Sequence, residues 1–233
     1  MNVENDNELT TKTGYRELKE NFKSIQAGEK SQKTSKIKED ENHVHSVWLQ
    51  KYSFRIALLS MFIAVSVVLA YALASIPNIE LFTLSIFLGG FILGKKEGLV
   101  IGSLSAVIFV FFNPWGVSPL PLISYQILHY ALTGLAGALT HDFLKEKSYY
   151  RPKNDLYTLP LMGLFGFIGL LITISFDLIT SLIGVVIAYG TLDAFVLYFL
   201  SGIVFTTVHE IGNTLGFIFI LPGLIQLVYK MLH

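Results

Sequence analysis

The 17 Lys and Arg residues of this chain fall into four groups, Lys12 to Arg55, Lys95 with Lys96, Lys145 to Lys153, and Lys230. Each interval between groups holds two apolar runs joined by a connection with no basic residue. Cytoplasmic loops of membrane proteins carry the Lys/Arg excess, so all four groups are expected on one side. The expected fold is therefore an all-α membrane protein of six transmembrane helices, with both termini cytoplasmic.

Composition agrees with a membrane domain over 51–233 behind a polar cytoplasmic tail over 1–50. Hydrophobic residues make up 52% of the chain and charged residues 15%, with most of the charge inside the tail. The tail is rich in Lys, Glu, Asn, Ser and Thr and buries too little apolar surface to order itself, so disorder is expected. Tyr15, Leu18, Phe22 and Ile25 recur at helical spacing, and a short amphipathic surface helix is the alternative. The tail is too polar for a cleaved signal peptide, which leaves the first membrane helix to direct insertion. Formal net charge is zero and the basic residues are consumed by orientation, so no patch for nucleic acid remains. Without cysteine there are no disulfides or thiolate metal sites.

The spans are read as Phe54 to Ser75, Leu81 to Gly94, Leu99 to Phe112, Leu122 to Thr140, Leu159 to Ala188, and one within Gly202 to Leu227. The second and third cover only roughly 21 Å each against a hydrocarbon core of about 30 Å. A re-entrant hairpin would bring Lys95, Lys96 and Glu97 near the bilayer centre at roughly 3 kcal/mol each, so two short spans with snorkelling lysines are expected. The outer connections are Pro77 to Glu80, Asn113 to Pro121 and Tyr189 to Ser201. The third is apolar enough to form an interfacial helix or a lid.

No G-x-x-x-x-G-K-[ST] phosphate loop is present, so ATP-driven work would require another subunit. What remains is a set of polar side chains at one depth. Asp177 lies about 26 Å up the fifth span from Pro160, and His209 about 26 Å up the sixth from Gln226. Gln126 and His129 sit near the outer end of the fourth span, and Asn78, Glu80, Asn113, Trp115 and Asp193 come from the outer connections. Ionisable residues inside a span are costly and point to function. The plainer alternative is that Asp177 and His209 pair with each other, or that the outer groups lie in headgroups and water; Glu80 and Asp193 are themselves expected to face solvent. His209-Glu210-Ile211-Gly212-Asn213 is half of an H-E-x-x-H zinc motif. It lacks the second histidine, and no metal is expected there. His209 and Asn213 instead share a helical face from which both can hydrogen-bond a ligand. Gly98 with Gly102, Gly134 with Gly137, Gly163 with Gly166 and Gly169, and Gly212 with Gly216 read as close helix contacts.

Several segments in order resemble the substrate-binding S component of an energy-coupling factor (ECF) transporter. They are Ile76-Pro77-Asn78-Ile79-Glu80, Phe87 to Gly94 (FLGGFILG), Gly98 to Gly102 (GLVIG), Phe112-Asn113-Pro114-Trp115-Gly116 and Leu132 to Gly137 (LTGLAG). Phe176-Asp177-Leu178-Ile179-Thr180 is similar to the D-x-x-T stretch of the family's fifth helix, with Ser181 where asparagine is expected. Asn213 with Pro222 is similar to the N…P pattern of the sixth. The resemblance covers nearly everything after Tyr52. It implies a six-helix, non-enzymatic cell-membrane subunit that binds a vitamin-like micronutrient in an outward-open cavity. A coupling membrane subunit and two ATPases would be its partners, and no cofactor is implied. The family's A-x-x-x-A motif, which meets the coupling subunit, is best matched by Ser60-x-x-x-Ala64, with Ala70-x-x-x-Ala74 second.

On this reading ligand lies between the outer ends of spans four to six, capped by the first and third outer connections. Trp115 or Tyr125 stacks a ring, and Gln126, His129, Asp177, His209 and Asn213 orient the ligand; Asn78, Asn113, Thr180 and Glu210 complete the candidate set. The main alternative is a multi-pass membrane enzyme using Asp177, His209 and Glu210. A third is a membrane scaffold that acts through its tail.

Overall fold

A computed structural model describes residues 47–76, 78–114, 116–153 and 155–232. The expectations for residues 1–46 and for Trp115 lie outside the described residues. The helices are α1 (Val47–Gln50), α2 (Tyr52–Leu73), α3 (Phe82–Leu93), α4 (Lys95–Phe111), α5 (Leu120–Leu144), α6 (Leu159–Tyr189), α7 (Phe195–Ser201) and α8 (Ile203–Leu215). A π-helical turn, Gly216–Ile220, then leads directly into α9 (Leu221–Leu232). No strand occurs among the described residues.

Four helical stretches are long and apolar enough to cross a membrane: Tyr52–Leu73, Leu120–Leu144, Leu159–Tyr189 and the continuous Ile203–Leu232. Large apolar side chains stand exposed along them, among them Met61, Val65 and Val68 on α2 and Phe167, Leu171 and Ile174 on α6. Water would penalise such a surface and lipid does not, which marks a membrane protein.

α3 differs from these four. Every residue from Phe82 to Leu93 except Ile92 is buried, so this 12-residue helix runs through the core of the bundle. At 1.5 Å per residue it is about 18 Å long, while the 17-residue α4 reaches about 26 Å. The expected pair of equal short runs is thus an unequal pair, and α4 begins at Lys95 rather than Leu99. Gly94 makes the break at φ 104°, a left-handed conformation that costs glycine little.

Side-chain ties sort the helix ends into two sets. Arg55, at the start of α2, pairs with Glu97 and donates to the Leu93 carbonyl at 2.8 Å. Lys95 meets Asp142 at 2.8 Å, and Lys145 takes the other carboxylate oxygen at 2.7 Å. At the opposite end the Tyr71 hydroxyl donates to the Phe112 carbonyl at 3.0 Å, and the Asn78 amide to the Phe205 carbonyl at 2.8 Å. Arg55, Lys95 and Lys145, from three separate basic groups of the sequence, therefore gather at one end of the bundle. The remaining basic-poor connections gather at the other.

Glycine sets how closely α3, α4 and α5 pack. A Cβ on Gly90 would lie 1.8 Å from the Gly134 carbonyl oxygen, and one on Gly98 would lie 2.5 Å from the same atom. One on Gly102 would lie 2.0 Å from the Tyr130 carbonyl oxygen. The obstacles are backbone and have no rotamer to move away on. Gly90→Ala is accordingly expected to destabilise the bundle by about 3 kcal/mol, the upper end of ordinary overpacking. A thermal melt in detergent checks it; unchanged melting would mean that the helices are not this close.

Candidate functional site

α8 carries His209 and Asn213 one turn apart, on the face turned toward α6 and the start of α3. Both are buried, at 7% and 3% exposure. His209 Nδ1 lies 2.9 Å from Asp177 Oδ1, and its Nε2 lies 3.4 Å from Glu80 Oε1. The Asn213 amide donates to Glu80 Oε1 at 3.3 Å and to the Thr173 hydroxyl at 3.1 Å. Thr83 donates its hydroxyl to the same Glu80 oxygen. The result is one network across four segments: the connection before α3, the first turn of α3, α6 and α8.

Glu80 departs from the expectation that it faces solvent. Its side chain is only 20% exposed because three donors converge on one of its oxygens. Burial pushes its carboxyl up, but the hydrogen bond and charge of His209, with the donors of Thr83 and Asn213, outweigh that and hold it below the usual carboxylate range. The sequence held a partial signal, an acid three residues before a threonine at the start of an apolar run. Asp193, by contrast, is exposed as expected, and accepts from the Thr191 hydroxyl within its own turn at 2.9 Å.

An aromatic wall adjoins this network. Phe176 sits 5.0 Å from the His129 ring, 5.7 Å from Tyr130, 6.2 Å from Tyr125 and 6.0 Å from His209, centroid to centroid. The Tyr125 hydroxyl donates to the Ser175 carbonyl at 3.0 Å and lies 3.3 Å from His129 Nδ1. Phe176 and Tyr130 did not stand out in the sequence because an aromatic at helical spacing usually means core packing. Here Phe176 joins the α5 rings of Tyr125, His129 and Tyr130 to His209 on α8.

The remaining candidates divide. Gln126 Oε1 and Asp177 Oδ2 are buried with no hydrogen-bond partner. The Thr180 hydroxyl donates back to the Phe176 carbonyl at 2.7 Å and the Asp177 carbonyl at 3.2 Å, so it serves its own helix. Asn78 takes a left-handed φ of 58° and spends its amide on Phe205, tethering the α2–α3 connection to α8. Asn113 accepts a backbone bond from Gly116 at 3.1 Å in the turn after α4. Glu210 is not drawn into the network. It lines a separate groove of about 280 Å³ with Leu170, Ile211, Thr214 and Leu215, where neither carboxylate oxygen has a partner. That separation follows from helix geometry, since residues i and i+1 are about 100° apart on a helix and cannot share the face of His209.

The expected lid segment is the short helix α7, none of whose residues is buried. The π turn after α8 gives the Phe219 carbonyl an outside donor, the Tyr157 hydroxyl at 2.9 Å. Among the described residues no group of three or more His, Cys, Asp or Glu side chains stands where it could hold a metal ion.

Away from this site, Ser60 and Ala64 stand exposed on α2 and line a groove of about 370 Å³ with Ile63, Val67, Val68 and Ile108. Ala70, of the second candidate pair, is buried at 7%. Comparison of the chain with family models, curated protein sequences and solved structures gives no match.

Proposed function

We propose that this protein is the substrate-binding membrane subunit of an ATP-driven importer of a vitamin-like micronutrient, a non-enzymatic S component that works with a coupling membrane subunit and two ATPases. The single observation that carries the reading is the buried network of Glu80, Asp177, His209 and Asn213 beside an aromatic wall, with acceptor atoms left unmatched. A small-ligand site needs a few convergent polar groups in an apolar setting, and a charged cluster inside a membrane bundle is costly unless it has work to do. The sequence segments that resemble the S-component family support the same reading.

Six membrane passes with both termini cytoplasmic complete the proposal. α3 and α4 serve as the second and third, and the ties of Arg55, Lys95 and Lys145 support placing the basic end in the cytoplasm. The enzyme alternative draws less support. Both ring nitrogens of His209 already face carboxylates, which leaves no free nitrogen for a base, and Glu210 points elsewhere.

Mass spectrometry of whatever copurifies tests the function directly. A small molecule retained stoichiometrically and unchanged is the expected result, whereas turnover of that molecule would favour the enzyme. For topology, cysteines placed at Ser118 and Gly190 should react with an impermeant reagent added to intact cells, and one placed at Ser148 should not. Labelling at Ser148 would overturn both the orientation and the number of passes.

A further inference from the structure

Both ring nitrogens of His209 face carboxylate oxygens, Asp177 Oδ1 at 2.9 Å and Glu80 Oε1 at 3.4 Å. A neutral imidazole has one N–H and can satisfy only one such contact; the imidazolium has two. Two carboxylates and one imidazolium leave one negative charge in the cluster. Glu80 Oε1 is crowded by three donors, but Asp177 Oδ2 has none, although the residue is only 9% exposed. Gln126 Oε1, on the first turns of α5, is a second buried acceptor without a partner. Buried carboxylate and amide oxygens ordinarily have a donor, and their lack of one needs an explanation.

The neighbouring surfaces limit what that donor can be. The rings of Tyr125, His129, Tyr130 and Phe176 stand within 5.0 to 6.2 Å of one another along the contacts to Phe176, and Phe176 reaches His209. Aromatic faces attract cations and planar rings, and repel the electron-rich edge of an anion. Charge, open acceptors and ring faces therefore ask for the same chemistry.

We infer that the ligand of this site is a planar, N–H-bearing cation, an amidine-like or aminated heteroaromatic group whose N–H donates to Asp177 Oδ2 while its ring lies against the Phe176 and Tyr125 side. The inference rests on the binding reading proposed above and narrows it to one class of solute. It disfavours acidic micronutrients, because a carboxylate placed here would meet two carboxylates across one imidazolium. It also separates N–H cations from quaternary ones, which carry charge but no donor.

The test uses the full-length protein purified in detergent and three probes of similar size: benzamidine, benzoate and phenyltrimethylammonium. Equilibrium binding and thermal shift are measured for each. Benzamidine is expected to bind roughly tenfold or more tightly than benzoate, and more tightly than phenyltrimethylammonium, since a charge-assisted hydrogen bond is about twice as strong as a neutral one. In Asp177→Asn the preference for benzamidine over benzoate should collapse to within about threefold. Benzoate binding as well as benzamidine, or an undiminished preference in folded Asp177→Asn, overturns the inference. The comparison within the parent protein needs no variant, so it stands even where Asp177→Asn fails to fold. The copurified molecule separates the two claims: an acidic or neutral molecule retained intact overturns the cation assignment and leaves the binding function standing. No retained molecule together with no binding of any probe removes both.

Discussion

His209→Ala should lower the melting temperature of the detergent-solubilised protein by several degrees and weaken ligand binding by about a hundredfold. The imidazole is the shared donor of Glu80 and Asp177, at 3.4 and 2.9 Å. Without it, two carboxylates from different segments face one space with Asn213 and Thr83 as the remaining donors to Glu80 and none to the Asp177 side chain. Removing one member of a buried charged set strands the others and costs about 3 to 5 kcal/mol. On the proposed binding function, part of that loss appears as stability and part as affinity, because the atoms that hold the fold are those assigned to the ligand. The double variant His209→Ala with Asp177→Asn should melt higher than His209→Ala alone, since it removes the stranded charge. If His209→Ala melts with the parent and the double variant brings no recovery, the three side chains are not one coupled unit.

On the proposed transport function, Ala64→Trp should abolish uptake and copurification with the proposed coupling subunit while leaving ligand affinity within about twofold of the parent. Ser60 and Ala64 are exposed and border a shallow groove lined also by Ile63, Val67 and Val68 of α2 and Ile108 of α4. Close approach of a partner helix needs small side chains at that seam, and an indole there holds the backbones apart by bulk alone. No residue of the Glu80–His209 cluster lines this groove. Ser60 and Ala64 lie about 9 and 15 Å along α2 from Phe54, in its first half and near its middle, whereas Glu80 follows its far end and meets His209 there. Normal uptake by Ala64→Trp would remove the coupling role of this face. Lost ligand affinity would show instead that the substitution disturbs the bundle.

The apolar runs and the polar set are both written in the sequence, for a physical reason. Lipid solvates only long apolar helices, so α2, α5, α6 and the α8–α9 helix announce themselves by length and hydropathy alone. Periodicity likewise shows that His209 and Asn213 share a face, and helical depth places Asp177 level with His209. The glycines at 98, 102 and 134 are legible as contact points because a missing Cβ has few other uses within an apolar helix.

Partner identity was not legible, because it depends on which helices become neighbours. The contact of Asp177 with His209 was foreseen as the plainer alternative, but Glu80 as its third member was not. A glutamate in a connection between spans looks solvated until Thr83 and Asn213 are seen to turn toward it. Glu210 shows the converse: adjacent in sequence to His209, it faces a separate groove, because a 100° step around α8 outweighs one position along the chain. Phe176 became a site residue only when α6 packed between α5 and α8 and brought its ring to both His129 and His209. Hydropathy, charge asymmetry and helical period are properties of one segment at a time and could be read directly from the chain. The network, its unmatched acceptors and the direction of each polar side chain arise from contacts between segments up to 133 positions apart, and packing alone decides those.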